Sequence, residues 1–83
     1  MDKDKLIYKI LQGKANVSFD DCVALLNALG FRLARRRGSH HIFVHPKIRE
    51  IINIQNVSGK IKRYQLKQIA RIVEKYGLTV ADD

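Results

Sequence analysis

The sequence is short of three things: cysteine, long apolar runs and acidic side chains. There is one cysteine, Cys22, so no internal disulfide can form, which fits a reducing compartment. Cys22 falls among apolar residues at helical spacing and reads as a buried core thiol. No apolar run approaches the roughly 20 residues that span a bilayer, so a membrane-spanning helix is excluded. Met1-Asp2-Lys3-Asp4-Lys5 carries mixed charge with no long apolar stretch behind it, unlike a secretory signal. The expectation is a soluble, cytoplasmic protein with no membrane partner. No repeat, low-complexity stretch, internal linker or phosphate-cradling glycine loop is present.

What is there fits one folded domain over residues 1–83, because so short a chain cannot build two cores. Apolar residues make up 46%, enough to argue against disorder. Without a disulfide, the thin core has to rely on helix–sheet packing or on a partner.

Acidic residues number 8 against 16 basic ones, and the imbalance is local. Through Gly30 the chain is neutral, with four Lys against four Asp. From Phe31 to Leu78 twelve Lys or Arg face only Glu50 and Glu74. Positive charge concentrated in one part of a small domain is what phosphate binding requires, although a basic surface without a nucleic-acid role has the same composition.

Hydrophobic periodicity gives the order of elements. Asp4 to Leu11 places Leu6, Ile7, Ile10 and Leu11 on one helical face, and Gln12-Gly13-Lys14 breaks it. A helix this short must dock on something. A second helix is signalled by Ser18 as cap, Asp21 three residues on, and Val17 placed to staple against Cys22. Phe19, Cys22, Leu26 and Leu29 follow at spacings of three and four, and Gly30 supplies a stop. Residues 31–35 alternate apolar and basic as a half-buried strand, Arg36-Arg37-Gly38-Ser39 reads as a turn, and His40 to His45 reads as a strand ended by Pro46. Glu50 to Ile54 makes a short third strand, and Ser58-Gly59 marks a loop. The last helix runs from about Lys62 to Tyr76, with Leu66, Ile69, Ala70, Val73 and Tyr76 as its apolar stripe. Gly77-Leu78 predicts a Schellman ending in which Leu78 folds back toward Val73. The order α-α-β-β-β-α implies an α+β, two-layer sandwich, a three-stranded antiparallel sheet with helices on one face.

The densest chemistry is Arg35-Arg36-Arg37-Gly38-Ser39-His40-His41, continuing to His45. A metal site is a poor fit. His40 and His41 are neighbours on a strand and point to opposite faces, while His41 and His45 share a face but lie about 13 Å apart at ~3.3 Å per residue. A histidine as general acid or base is a second reading. Imidazole moves protons near neutral pH, and RNA cleavage needs a base for the ribose 2′-OH and cations for the phosphate. The alternative is that the histidines are ordinary strand residues bonded locally. Ser39 and His40 are neighbours, but their side chains diverge and no third group for nucleophilic chemistry is identifiable. Phe43, the bulkiest apolar residue of its strand, should face the helices, which puts His41 and His45 beside it and leaves His40, Ile42 and Val44 on the open face. Apolar residues left there would suit a covering partner.

A second basic cluster comprises Lys60, Lys62 and Arg63, with Lys67, Arg71 and Lys75 recurring every four residues along the last helix. Such a stripe suits a nucleic-acid duplex and equally suits a solvated face. Tyr64 suits base stacking or the start of the core stripe, and its position favours the core.

The order of elements and the residues Gly38-Ser39-His40-His41-Ile42-Phe43 resemble the HicA family of toxin–antitoxin toxins. The similarity runs from about Phe19 to Leu78. It takes in the strand GFRLARR, the tip GSHHIFVHP, the Ile-rich strand, and SGKIKRYQLKQI leading into a helix that stops at YGL. The resemblance implies a double-stranded-RNA-binding-domain-like fold and cleavage of mRNA without a metal or any other cofactor. It also implies neutralisation by a HicB-type antitoxin. Within the motif the first histidine after Gly-Ser is the catalytic one, which makes His40 the candidate, with Gly38 and Ser39 shaping the tip. Arg35, Arg36, Arg37, Lys60, Lys62 and Arg63 are the candidate RNA contacts. Many relatives carry Pro-His-Pro after the third strand, where this chain has Ile54-Gln55-Asn56-Val57, and residues 1–16 are additional to the shortest members. A non-catalytic nucleic-acid-binding module and a domain whose basic face meets an acidic protein are the competing expectations.

Overall fold

The computed structural model describes Ile7, Lys9 and residues 17–80. The expected helix over residues 4–11 otherwise lies outside the described residues; Ile7 is helical and packs, partly buried, against the core. From residue 17 the order is α1 (Phe19–Ala28), β1 (Arg32–Arg37), β2 (His40–His45), β3 (Ile48–Gln55) and α2 (Arg63–Tyr76). The strands form an antiparallel sheet in the order β1-β2-β3. This is an α+β fold, and the buried residues of β2 and β3 (Phe43, Ile52 and Ile54) lie on one side of the sheet.

Helix α1 begins where its capping residues require. Ser18 is extended, and its Oγ accepts from the Asp21 N–H at 3.1 Å, satisfying one of the four unpaired donors of the first turn. Phe19, Cys22, Leu25 and Leu26 are buried along one face. Both helices end in the same way. The Gly30 and Phe31 N–H groups donate to Asn27 and Leu26, and those of Gly77 and Leu78 donate to Glu74 and Val73. These are Schellman pairings, each turning on a glycine with positive φ. At Gly30 a second constraint applies, since a β-carbon there would stand 2.7 Å from His45 Nε2.

The core joins Cys22, Leu25, Leu26 and Leu29 of the α1 segment to Phe31, Phe43, Ile52 and Ile54 of the sheet side, and to Leu66, Ile69, Ile72 and Val73 of α2. Burial pushes the Cys22 thiol up to about 12, so it stays a protonated core group, as its sequence position implies.

Four expectations need correction. The first strand, expected to be half-buried, is exposed at all six of its residues, Leu33 included. Strand β1 runs through Arg37, so Arg36 and Arg37 belong to the strand, and the turn is Gly38-Ser39 alone. A two-residue hairpin loop with glycine first, at φ +56°, matches the right-handed twist of its strands and lets pairing persist to the tip. Strand β3 starts at Ile48 rather than Glu50, because the Pro46-Lys47 turn is also two residues long and is closed by Lys47 N–H donating to His45 Nδ1 at 3.0 Å. The buried stripe of α2 is Gln65, Leu66, Ile69, Ile72 and Val73, whereas Tyr76 and Tyr64 are exposed. The stripe is rotated toward Gln65 because this side chain meets the outer edge of β3. The Gln55 N–H donates to Gln65 Oε1 at 3.2 Å, and Gln65 Nε2 donates to the Asn53 carbonyl at 3.4 Å.

Candidate nucleic-acid interface

The site is built at the β1–β2 hairpin tip. Pairing carries directly to the turn, with Arg37 opposite His40, Arg36 opposite His41 and Arg35 opposite Ile42. Directly opposed residues share a face and successive residues alternate, so the arginine triplet divides. Arg35 and Arg37 lie on the face of His40, and Arg36 lies on the face of His41. All three are exposed, as is every residue of β1. Arg36 Nε donates to the Gly38 carbonyl at 3.5 Å, a weak bond that keeps it at the tip.

The three histidines are likewise separated. His41 Nδ1 donates to the Ser39 carbonyl at 3.1 Å, and its ring lies 4.6 Å from that of Phe19. His45 Nδ1 accepts from the Lys47 N–H, so its proton is on Nε2, which donates to the Leu29 carbonyl at 3.2 Å. Its ring stands edge-on to Phe31 at 5.0 Å. These two half-buried rings pin the tip and the far end of β2 to the helical layer. His40 is exposed and, among the described residues, has one side-chain partner, Asn53 Oδ1, at 3.3 Å from Nδ1. Among the described residues, no three His, Cys, Asp or Glu side chains come together as a metal site.

Ser39 fixes the tip through its polar atoms. Its carbonyl accepts from the Asn56 N–H at 3.0 Å as well as from His41, and its Oγ accepts from Gln55 Nε2 at 3.2 Å. Gly38 has open space around it and serves the turn by its φ alone.

The second basic cluster grows from the same end of the sheet. Val57-Ser58-Gly59-Lys60 is a tight turn with Ser58 and Gly59 both at positive φ, and Val57 and Lys60 exchange two backbone bonds of 3.0 Å. Asn56 Oδ1 accepts from the Gly59 N–H at 2.7 Å, and the Gly59 carbonyl accepts from the first N–H of α1 at 2.8 Å. Since Asn56 is itself bonded to Ser39, the turn bearing Lys60 is tied to the hairpin tip. Lys62 precedes α2 and Arg63 opens it, and all three cations are exposed.

The stripe farther along α2 is different. Arg71 and Lys75 each stand 3.4 Å from a Glu50 carboxylate oxygen, so two of its three cations hold α2 to β3. A hydrogen bond from Tyr76, followed by the nearby Lys75 and Arg71, keeps the Glu50 carboxyl below the usual carboxylate range, against an opposing effect of burial. Asn53 and Gln55, the β3 side chains that touch His40 and Ser39, carry no motif signal. Only the alternation Ile52-Asn53-Ile54-Gln55, which marks them as the outward residues of a strand, could have drawn attention to them.

No helix among the described residues is long and apolar enough to cross a membrane. No curated protein and no solved structure matched the chain. The family model for the HicA toxin of bacterial toxin–antitoxin systems matches residues 19–76, from the first residue of α1 to the last of α2. That span takes in the whole sheet, the hairpin tip and most of the chain, which therefore belongs to the HicA toxin family.

Proposed function

We propose that this toxin is an mRNA endoribonuclease in which His40 is the general base, Arg35 and Arg37 hold the phosphate beside it, and Lys60, Lys62 and Arg63 bind the flanking backbone. The carrying observation is that His40 is the one exposed histidine and shares its face with two arginines, while His41 and His45 are bonded into the packing. His40 takes the proton of a ribose 2′-OH, and the 2′-oxygen attacks the adjacent phosphorus. The 5′-oxygen leaves and takes a proton from solvent water, giving a 2′,3′-cyclic phosphate and a 5′-hydroxyl end, and the proton on His40 is returned to solvent. The arginines offset the charge that develops on the non-bridging oxygens.

Arg36, on the opposite face, serves the flanking backbone rather than the reacting phosphate. The partner that restrains the toxin is an antitoxin, for which we infer a HicB-type protein lying over the open sheet face, where Ile51 is exposed and Ile42 and Val44 are half-buried. The test is incubation of wild-type and His40→Ala protein with a labelled mRNA in the presence of a chelator. The wild type is expected to cleave, and the variant to lose about 10²- to 10⁴-fold in rate, with RNA binding and Tm unchanged. Retention of RNA by both proteins with cleavage by neither would make the domain a binding module. Undiminished cleavage by folded His40→Ala would remove His40 from the reaction.

A further inference from the structure

A neutral imidazole accepts a proton only at the nitrogen that lacks one, and the partner of the other nitrogen decides which that is. Asn53 Oδ1 lies 3.3 Å from His40 Nδ1. An amide oxygen can only accept, so in this contact Nδ1 carries the proton and Nε2 carries the lone pair. We propose that Asn53 is a positioning residue for His40, holding the ring in the Nδ1–H tautomer and leaving Nε2 as the proton acceptor. The role in catalysis rests on the reading of His40 as base; the contact itself does not.

Strand register explains why the two side chains meet. Asn53 pairs with Ile42 and Gln55 pairs with His40, so Asn53 is the diagonal neighbour of His40 on the same face, within reach of long side chains. The backbone that carries Asn53 is fixed from behind. Gln65 is buried and spans the β3 edge, accepting from the Gln55 N–H and donating to the Asn53 carbonyl. The same two β3 residues thus reach both halves of the tip, Asn53 to His40 and Gln55 to Ser39. An amide at position 53 also sets the tautomer without adding a negative charge that would favour the imidazolium, which suits a group that has to begin neutral. The charged groups of β1 near His40 are Arg35 and Arg37 on its own face and Arg36 on the other, with Arg32 at the far end of the strand opposite Val44. β3 presents Asn53 and Gln55 beside it, with Arg49 and Glu50 farther along and Lys60 in the turn that follows.

The deciding experiment is ¹⁵N NMR of the His40 ring in the full chain at a pH where the ring is neutral, for wild type, Asn53→Ala and Asn53→Asp, alongside rates on a labelled mRNA. The wild type is expected to show a protonated Nδ1 and an unprotonated Nε2. Asn53→Ala should move the ring to a mixed or Nε2–H state and lower kcat about 10- to 100-fold, by analogy with the partners that orient metal-bound imidazoles, with RNA affinity and Tm unchanged. Asn53→Asp keeps an acceptor, so it should keep the Nδ1–H tautomer and much of the rate, while moving the acid limb of the rate–pH profile upward. A wild-type ring protonated on Nε2, or a tautomer indifferent to Asn53→Ala, would overturn the proposal. If the expected ring states are seen but the wild type does not cleave, the positioning contact stands and the nuclease reading falls.

Discussion

Strand β2 gives its two faces different work. On the covered face His41, Phe43 and His45 follow one another, and each is held: the two rings by carbonyls and aromatic neighbours, Phe43 by complete burial. On the open face His40, Ile42 and Val44 occupy the intervening positions, and no described residue bonds the second ring nitrogen of His40, which shares its face with two arginines. The same residue type within one six-residue strand is structural at two positions and available for chemistry at the third. The sidedness of the strand makes that division.

Truncation on the covered face should have the largest effect. Phe43→Ala empties a fully buried site and is expected to cost about 3–5 kcal/mol, a large share of what a small domain has. Ile42→Ala, one residue away and half-buried, should cost about 1 kcal/mol. Urea melts of the two variants give the comparison directly, and equal losses would mean that the open face is packed as tightly as the covered one.

The histidines should separate by a smaller margin. His45→Ala strands the Leu29 carbonyl and the Lys47 N–H and is expected to lose about 1–3 kcal/mol. His40→Ala should stay within about 0.5 kcal/mol of wild type, because its ring is exposed. Matching thermal midpoints for the two would contradict the structural role given to His45.

The smallest effect belongs to Glu50, at the border between sheet and helix. Its carboxyl is held below the ordinary carboxylate range in the folded protein. The stability it contributes is therefore present above the unfolded-state value of about 4.3 and is lost as pH falls through the lower folded value. Glu50→Gln should lower Tm slightly at neutral pH and in low salt. The difference should shrink with added salt and vanish in strong acid. A difference that persists in strong acid would mean that Glu50 acts by packing rather than by charge.

Most of this architecture is legible from residues 17–80 taken as text. Ser18 with Asp21, Gly30, and Gly77 with Leu78 mark helix ends by local chemistry, and local chemistry is what a sequence displays. The placement of Phe43 against the helices, and so the outward aspect of His40, follows from strand alternation alone. The arginine triplet misleads because charge resembles a turn signal, whereas Gly38-Ser39 is already sufficient for a two-residue loop. Only with that shorter turn does it become apparent that Arg36 faces away from Arg35 and Arg37. Gln65 and Tyr76 are misjudged for a related reason. A polar residue at a buried helical position makes sense only once its partner is known, and that partner is a strand edge about ten residues back. Asn53 is unreadable in the same way, since its significance lies in a diagonal neighbour thirteen positions earlier in the chain.

A three-stranded sheet has two outer edges, and each is a template on which another chain could grow. Here they are closed off by opposite means. At the β3 end the buried Gln65 amide bonds the Gln55 N–H and the Asn53 carbonyl, two groups that a fourth strand would otherwise pair. At the β1 end no described residue covers the backbone, but four of its six residues are arginine, so a second copy approaching in solution meets its own charge. Self-association along β1 is opposed by electrostatics rather than by sterics. The species able to lie along that edge is one that brings negative charge with it, and resistance to aggregation is therefore greatest when the protein is alone and at low ionic strength.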